Sequence, residues 1–399
     1  MKVTTLLLVF VLVFSGFNSA LAQTDTTAVN KIKVDYTKKG FTFSTADDNY
    51  AMHIQSQIQF RFFTPTDQSP TAFDDFSKPD ETGFKIHRAR LKIGGHAYKP
   101  WFKYAIQYDY ARGTLLDFRV TLDRWDFFKV ELGQWKTAYS RERTISSGKQ
   151  QMMDRSIINR AFTIDRQTGV AFSGRVFPET LADFTYHVSV LTGTGRGATR
   201  NDDSHLMYVG RLQWNMFGRE LEITGSDLKF HDKPTASLAF AAATNRSQFT
   251  RFSTSGGGNL EGYTSNAPGQ YRINQGLIET AFKYRGFSWQ HESHLKKITD
   301  YETNTDKTLS GYYLQAGYFF SNIADFVPAP LEVAGIFANY TPDTDFSNSY
   351  EQEYGVAFNW FFKEHRNKLT MEITRFSYKT IDNISDNQWR FRVQWDISF

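Results

Sequence analysis

The 399-residue chain contains no cysteine. That absence excludes a disulfide framework and a lipid-modified N-terminal cysteine. An excess of one charge is also missing: 46 Lys and Arg against 42 Asp and Glu leave a net +4. So small an imbalance gives no reason to expect a nucleic-acid partner. Long apolar runs are absent apart from the opening MKVTTLLLVFVLVFSGFNSALAQ. With Lys2, an apolar run from Val3 to Phe14 and the small-residue triplet Ala20-Leu21-Ala22, this opening reads as a secretory signal over residues 1–22, cut before Gln23. A retained membrane helix would need about 20 apolar residues, and Ser15 to Ser19 interrupt the run. An exported chain without disulfides or a helical anchor must be held together in another way.

What the chain has in abundance is aromatic side chains: 37 Phe, 20 Tyr and 8 Trp, at a mean hydropathy of −0.47. Two architectures reconcile a polar average with so many rings. One is a soluble β-sandwich; the other is a barrel that is polar within and apolar without. The stretch MHIQSQIQFRFF, Met52 to Phe63, places Met52, Ile54, Ile58, Phe60 and Phe62 in one phase, and His53, Gln55, Gln57, Gln59 and Arg61 in the other. Such alternation marks a β-strand with an apolar and a polar face. The rhythm recurs in sixteen segments, from 52–63 to 388–399, and is weakest at 167–177, 204–216 and 235–244. Their lengths suit the roughly 9–11 residues with which a tilted strand crosses a bilayer.

The connections alternate in length. Short ones lie at His96 to Pro100, Arg124-Trp125, Pro178 to Leu181, Arg285-Gly286 and Lys363 to Arg366, and long ones at 64–83, 137–166, 193–203, 245–270 and 341–352. Short turns at one end and long loops at the other characterise an outer-membrane barrel. Two connections depart from the rule: the tiny one near Arg112 and the long one at 217–234. A closed sheet leaves no unpaired backbone in hydrocarbon. At about sixteen strands the interior is too wide for wall side chains to fill, so a water channel remains. The expected fold is therefore all-β: a 16-stranded antiparallel transmembrane β-barrel over 50–399, after a short periplasmic lead-in at 23–49. Its apolar phase faces lipid and its polar phase faces the bore.

Several motifs resemble the phosphate-selective porin O and P family. Gly40-Phe41 and Ala46-Asp47-Asp48 resemble its start, and Ile86-His87-Arg88-Ala89-Arg90-Leu91 its F-R-R-A-R-L, with His87 at the first Arg. Gly133-Gln134-Trp135-Lys136-Thr137 is similar to G-Q-F-K-x-P, with Ala138 in place of Pro. Asp154-Arg155-Ser156, Ala161-Phe162, Arg166 to Val170 and Gly311 to Phe319 resemble later elements. The resemblance covers nearly the whole mature chain. It implies a sixteen-stranded homotrimer in which wall arginines and lysines guide small anions, while His87 and Ala138 depart from the pattern of tight phosphate selectivity.

The polar phase supplies the candidate anion pathway: Arg61, Arg88, Arg90, Lys92 and Arg119, with Lys136 at the end of the fifth strand. Fixed cations along a water-filled wall lower the barrier for anions and raise it for cations. Such walls also carry mixed charge merely for solvation and mutual pairing. The connection 137–166 is the candidate constriction loop. With Lys136 it carries seven cations, among them Arg141, Arg143, Arg155 and Arg160, against Glu142, Asp154 and Asp165. Met152, Met153, Ile157 and Ile158 make it too apolar for a freely solvated loop. It is expected to fold into the bore; the alternatives are that it lies over the mouth or packs between subunits.

Catalytic signals are weak. His291-Glu292-Ser293-His294 lacks the i, i+4 helical spacing of a zinc motif, and strand alternation sends its two histidines to opposite faces. Gly193-Thr194-Gly195-Arg196-Gly197 has no following helix to bind phosphate and reads as a flexible external loop. The expected function is a passive porin in the lipid bilayer of an outer membrane, preferring anions such as phosphate, with no enzyme activity and no cofactor or metal. The alternatives are a general diffusion porin, a channel for acidic sugars or peptides, a barrel hydrolase and a soluble glycan-binding sandwich.

Overall fold

The computed structural model describes residues 32–198, 200–254, 256–346 and 348–399. The expected signal at 1–22 and the first part of the lead-in lie outside the described residues. Two short strands come first, β1 (Ile32–Thr37) and β2 (Gly40–Thr45). The next nine are β3 (Ala51–Thr64), β4 (Gly83–Ala97), β5 (Lys99–Asp109), β6 (Thr114–Trp125), β7 (Phe128–Lys136), β8 (Arg166–Val176), β9 (Phe184–Leu191), β10 (Met207–Met216) and β11 (Thr235–Ser247). A small separate hairpin, β12 (Arg251–Thr254) and β13 (Gly256–Gly258), sits in the following loop. The last seven are β14 (Tyr271–Tyr284), β15 (Phe287–Asp300), β16 (Thr305–Tyr318), β17 (Leu331–Thr341), β18 (Tyr350–Lys363), β19 (Asn367–Lys379) and β20 (Ser385–Ser398). All sixteen expected segments, the three weakest included, are strands.

The main sheet has 18 strands; without β1 and β2 the remaining sixteen run antiparallel in chain order and close where β20 meets β3. Trp395 lies opposite Phe60 at the seam, and the other end of β3 pairs with β2, Phe41 opposite Ile54. The lead-in is thus partly a hairpin docked on the barrel, which the sequence did not suggest. At the turn between β14 and β15, Arg285 and Gly286 both have positive φ, 47° and 80°. This two-residue geometry matches the right-handed twist of a hairpin, and Gly286 adopts it without strain.

Alternation decides the facing. Along β3, Gln57, Gln59 and Arg61 are buried, whereas Ile58 and Phe60 are exposed at 38% and 46%. Along β18, Tyr354, Val356 and Phe358 point outward, and Glu353, Ala357 and Asn359 point inward. The apolar phase therefore clothes the outside, as a membrane barrel requires.

The interior is not uniformly polar. Inward positions on β14–β18 include Ile273, Leu277, Ile298, Tyr313, Ile336 and Tyr340, which form one buried cluster with Met152, Ile157, Ile158 and Phe162 of the inward loop. A sixteen-stranded wall cannot fill its own bore, and here the connection after β7 packs against the inner face of β14–β17.

Candidate channel and its constriction

Residues 137–165 fold into the barrel, as their apolar content predicts, through two short helices, α1 (Arg141–Thr144) and α2 (Asn159–Phe162). Ser140 caps α1 by accepting from Arg143 N–H at 3.2 Å. Glutamates on the inner wall hold the loop by its backbone. Glu279 accepts from Arg141 N–H at 2.9 Å, Glu292 from Glu142 N–H at 2.7 Å, Glu372 from Met153 N–H at 2.8 Å and Glu353 from Ile157 N–H at 2.8 Å. Both Glu351 oxygens accept from Arg160 at 2.9 Å. Hydrogen bonds to charged groups are each worth about 1.5–3 kcal/mol, so this ladder fixes the loop without a covalent link.

The opposite edge of the loop is clasped at Asp154, which meets Arg61 at 2.8 Å and Arg392 at 2.5 Å. Against the burial that would raise it, Arg61 and Arg392 hold the Asp154 carboxyl well below the usual carboxylate range. Two further connections fold inward. Segment 217–234, at the short-turn end, rises to meet the loop: Gly225 N–H donates to Lys149 O at 2.9 Å, and Ser226 Oγ donates to Glu332 at 2.7 Å. The glycine-rich 193–197 segment, expected to wave outside, is tied in by Gln167 at Gly195 N–H (3.0 Å) and Gln134 at Gly197 N–H (2.8 Å). Side-chain acceptors on neighbouring strands make it part of the wall.

The space left open lies to one side, between the loop and β4–β8. A cavity of about 350 Å³ is lined by eleven Lys and Arg side chains against three carboxylates, Asp67, Asp154 and Asp165. Arg88, Arg90, Lys136, Arg143, Arg155 and Arg160 all reach it. Lys92 lies beyond it, in a second cavity of about 580 Å³ toward the short-turn end. The turn Ser146–Lys149 separates the two, with Ser147 in the first and Ser146, Gly148 and Lys149 in the second. A β-bulge contributes to this wall. Gln59 pairs with Arg88 but Phe60 pairs with Ile86, so His87 is the extra residue and lines the cavity beside Arg88. Bulges next to sites re-aim a side chain in this way.

Two expected pathway residues, Arg61 and Arg119, and one expected constriction residue, Arg141, sit elsewhere. Arg61 is completely buried and shared among Asp67, Asp154 and Gln394, so it anchors the loop and lines neither cavity. Arg141 is spent on the carbonyls of Glu222 and Thr224, joining the two inward segments. Arg119 pairs with Glu131 at 2.5 Å and lines neither cavity. Arg390 and Arg392, inward on β20, are likewise buried around Asp67 and Glu372. Conversely Lys85, Arg112, Arg196 and Arg251 line the basic cavity, although alternation alone did not single them out. The charge crowding is felt within the loop: burial, then the neighbouring Arg143, push Arg155 down to about 9. Guanidinium groups remain charged at neutral pH; Arg90, Arg160 and Arg166 are paired from behind the lining by Asp109, Glu351 and Asp117, and the eleven cations still outnumber these three carboxylates and the three of the lining together.

Comparison with known proteins bears on this geometry directly. The family described as phosphate-selective porin O and P matches residues 66–388. The chain belongs to that family. No curated protein sequence matches this porin. Among solved structures, an anion-selective porin from Comamonas acidovorans superposes with a TM-score of 0.59 at 10% identity, over 88% of this chain and 100% of its own. The outer-membrane channel DcaP of Acinetobacter baumannii gives 0.57 at 13% identity, over 90% and 99%. A trimer form of OmpT from Vibrio cholerae gives 0.51 at 8% identity, over 88% and 100%. At such identities the likeness is one of fold. Family and fold together make this porin an outer-membrane channel.

Proposed function

We propose that this porin passes small solutes passively down their own gradient, with a preference for anions such as phosphate. The observation that carries the proposal is the lining of the open cavity, eleven cations against three carboxylates. Four wall glutamates, Glu279, Glu292, Glu353 and Glu372, are turned to backbone amides of the inward loop rather than to these cations. A charge about 4 Å from a permeant ion is worth roughly 1 kcal/mol at bulk-like dielectric and about 4 kcal/mol at an effective value of 20. Guanidinium groups also match phosphate oxygens in pairs. Cations on both sides of the Ser146–Lys149 turn give an anion somewhere to go after it enters, as conduction requires.

The test is the zero-current potential of single channels in a salt gradient, repeated with Arg88→Ala and Arg90→Ala. The parent should favour anions, and each variant should lose about fivefold in anion-to-cation permeability, which corresponds to about 1 kcal/mol. A cation-preferring parent, or variants indistinguishable from it, overturns the proposal. A homotrimeric assembly is proposed with it. The fold likeness to OmpT in its trimer form supports it, and migration of the detergent-extracted protein on a native gel tests it.

A further inference from the structure

The outward face of β15–β20 bears a groove of about 900 Å³. Its floor is made by small residues: Ala316 and Gly335 lie in the outward phase of β16 and β17. A Cβ built on Gly335 would find nothing nearer than Gly355 O at 3.8 Å, so packing within the barrel does not require glycine there. The sequence leaves a furrow where the neighbouring outward positions carry Leu314, Phe337 and Phe358.

At the long-loop end of this furrow stands Arg375, outward on β19, 5.8 Å from the ring of Trp389. It makes no ion pair or hydrogen bond among the described residues. Trp395 donates to Asn367 Oδ1 at the other end of β19. These two tryptophans bound the apolar stretch, since such rings settle at the headgroup level. From Asn367 to Arg375 the strand rises about 26 Å at roughly 3.3 Å per residue, which, tilted, spans most of an apolar band of about 25 Å. Arg375 therefore lies where hydrocarbon gives way to headgroups. An uncompensated cation on a lipid-facing wall is costly at the midplane and tolerated near the interface, where an anionic group can reach it. Beside it, Gln352 donates to Asn339 Oδ1 at 3.0 Å, giving a polar rim above an apolar trough.

We propose that this groove is a binding site for a phosphate-headed membrane lipid. Its head is held by Arg375, and one acyl chain lies along the floor formed by Ala316 and Gly335. The proposal is independent of the channel's ion preference, because the residues it uses, Arg375, Ala316 and Gly335, all lie in the outward phase of their strands.

The test is native mass spectrometry of the full chain in mild detergent, titrated with phosphatidylglycerol or with phosphatidylcholine of the same chains. The parent should retain phosphatidylglycerol at least fivefold more than phosphatidylcholine. Arg375→Gln should abolish that preference, and Gly335→Leu, which fills the furrow and leaves the charge, should lower retention of both lipids. Equal retention of the two lipids by the parent, or full preference in Arg375→Gln, overturns the proposal. So does a shift in oligomeric state caused by Gly335→Leu without loss of lipid, because the groove is then a contact between copies of the chain. Heat-modifiable migration on a gel reports that each variant is folded.

Discussion

Replacing Asp154 by Asn tests the clasp that closes the loop against β3 and β20. The substitution keeps the shape and one acceptor but removes the charge between Arg61 at 2.8 Å and Arg392 at 2.5 Å. Removing one partner of a buried pair costs about 3–5 kcal/mol. Arg61 retains Asp67 at 2.9 Å and Arg392 retains Glu372, which places the loss at the lower end, about 3 kcal/mol. Since about 1.4 kcal/mol is a factor of ten, the loop should open about a hundredfold more often. The readout is hydrogen exchange at the Met153 and Ile157 amides, whose acceptors are Glu372 and Glu353. Local opening controls exchange in such segments, so these amides should exchange about a hundredfold faster while strand amides do not change. The pH dependence gives a second check. A carboxyl held below its ordinary value stabilises the docked loop above about pH 3.9 and stops doing so as pH falls. The parent should therefore loosen in acid, and Asp154→Asn should lack that step. Exchange within threefold of the parent would show that the clasp does not hold the loop.

Glu142 works in the other direction. Burial, then the charge of Glu292, push its carboxyl up to about 8. An acid raised on docking weakens docking as pH climbs from about 4.3, its ordinary value, toward the raised one. Current noise from the loop should grow between pH 5 and 9, and Glu142→Gln should flatten the trend; an unchanged trend in the variant removes Glu142 as its cause. At Gly148 a Cβ would come within 2.6 Å of Gln57 Nε2, so Gly148→Phe should thicken the turn that separates the two cavities and cut single-channel conductance several-fold. Conductance equal to the parent's would place the narrow point elsewhere. Phe358, 44% exposed at the middle of β18, should meet lipid; Phe358→Arg should cost about 2–4 kcal/mol near the bilayer midplane, measured by equilibrium unfolding in lipid vesicles. No loss would put that face in water.

How much of this was legible in the sequence depends on what one dimension can encode. Strand phase has a period of two residues, so Gln57-Ile58-Gln59-Phe60 already separates bore from lipid, and all sixteen barrel strands follow from it. Met152, Ile157 and Ile158 likewise forecast an inward loop, because apolar side chains in a long connection need something to pack against. Phase does not tell what an inward side chain meets. Arg61 and Arg88 share a phase, yet one is wrapped by two aspartates and the other reaches an open cavity. Glu279 and Glu292 stand in the polar phase of β14 and β15, but phase does not tell that, besides Arg211 and His294, each also holds a backbone amide of the loop more than a hundred residues away in the chain. Alternation also fails at His87, where the bulge inserts one residue. The length of 217–234, out of place in the alternation of short and long connections, was the one visible sign of the second inward segment.

Position around a barrel whose strands pair in sequence order is simply position along the chain. The cationic lane is therefore written in the first half of the sequence, and most of the glutamates that grip the loop are written in the second. A substitution early in the gene retunes what may pass, whereas a late one retunes how firmly the obstacle is seated. The two properties can drift separately, and grafting the early half onto a relative's later half would exchange one while sparing the other.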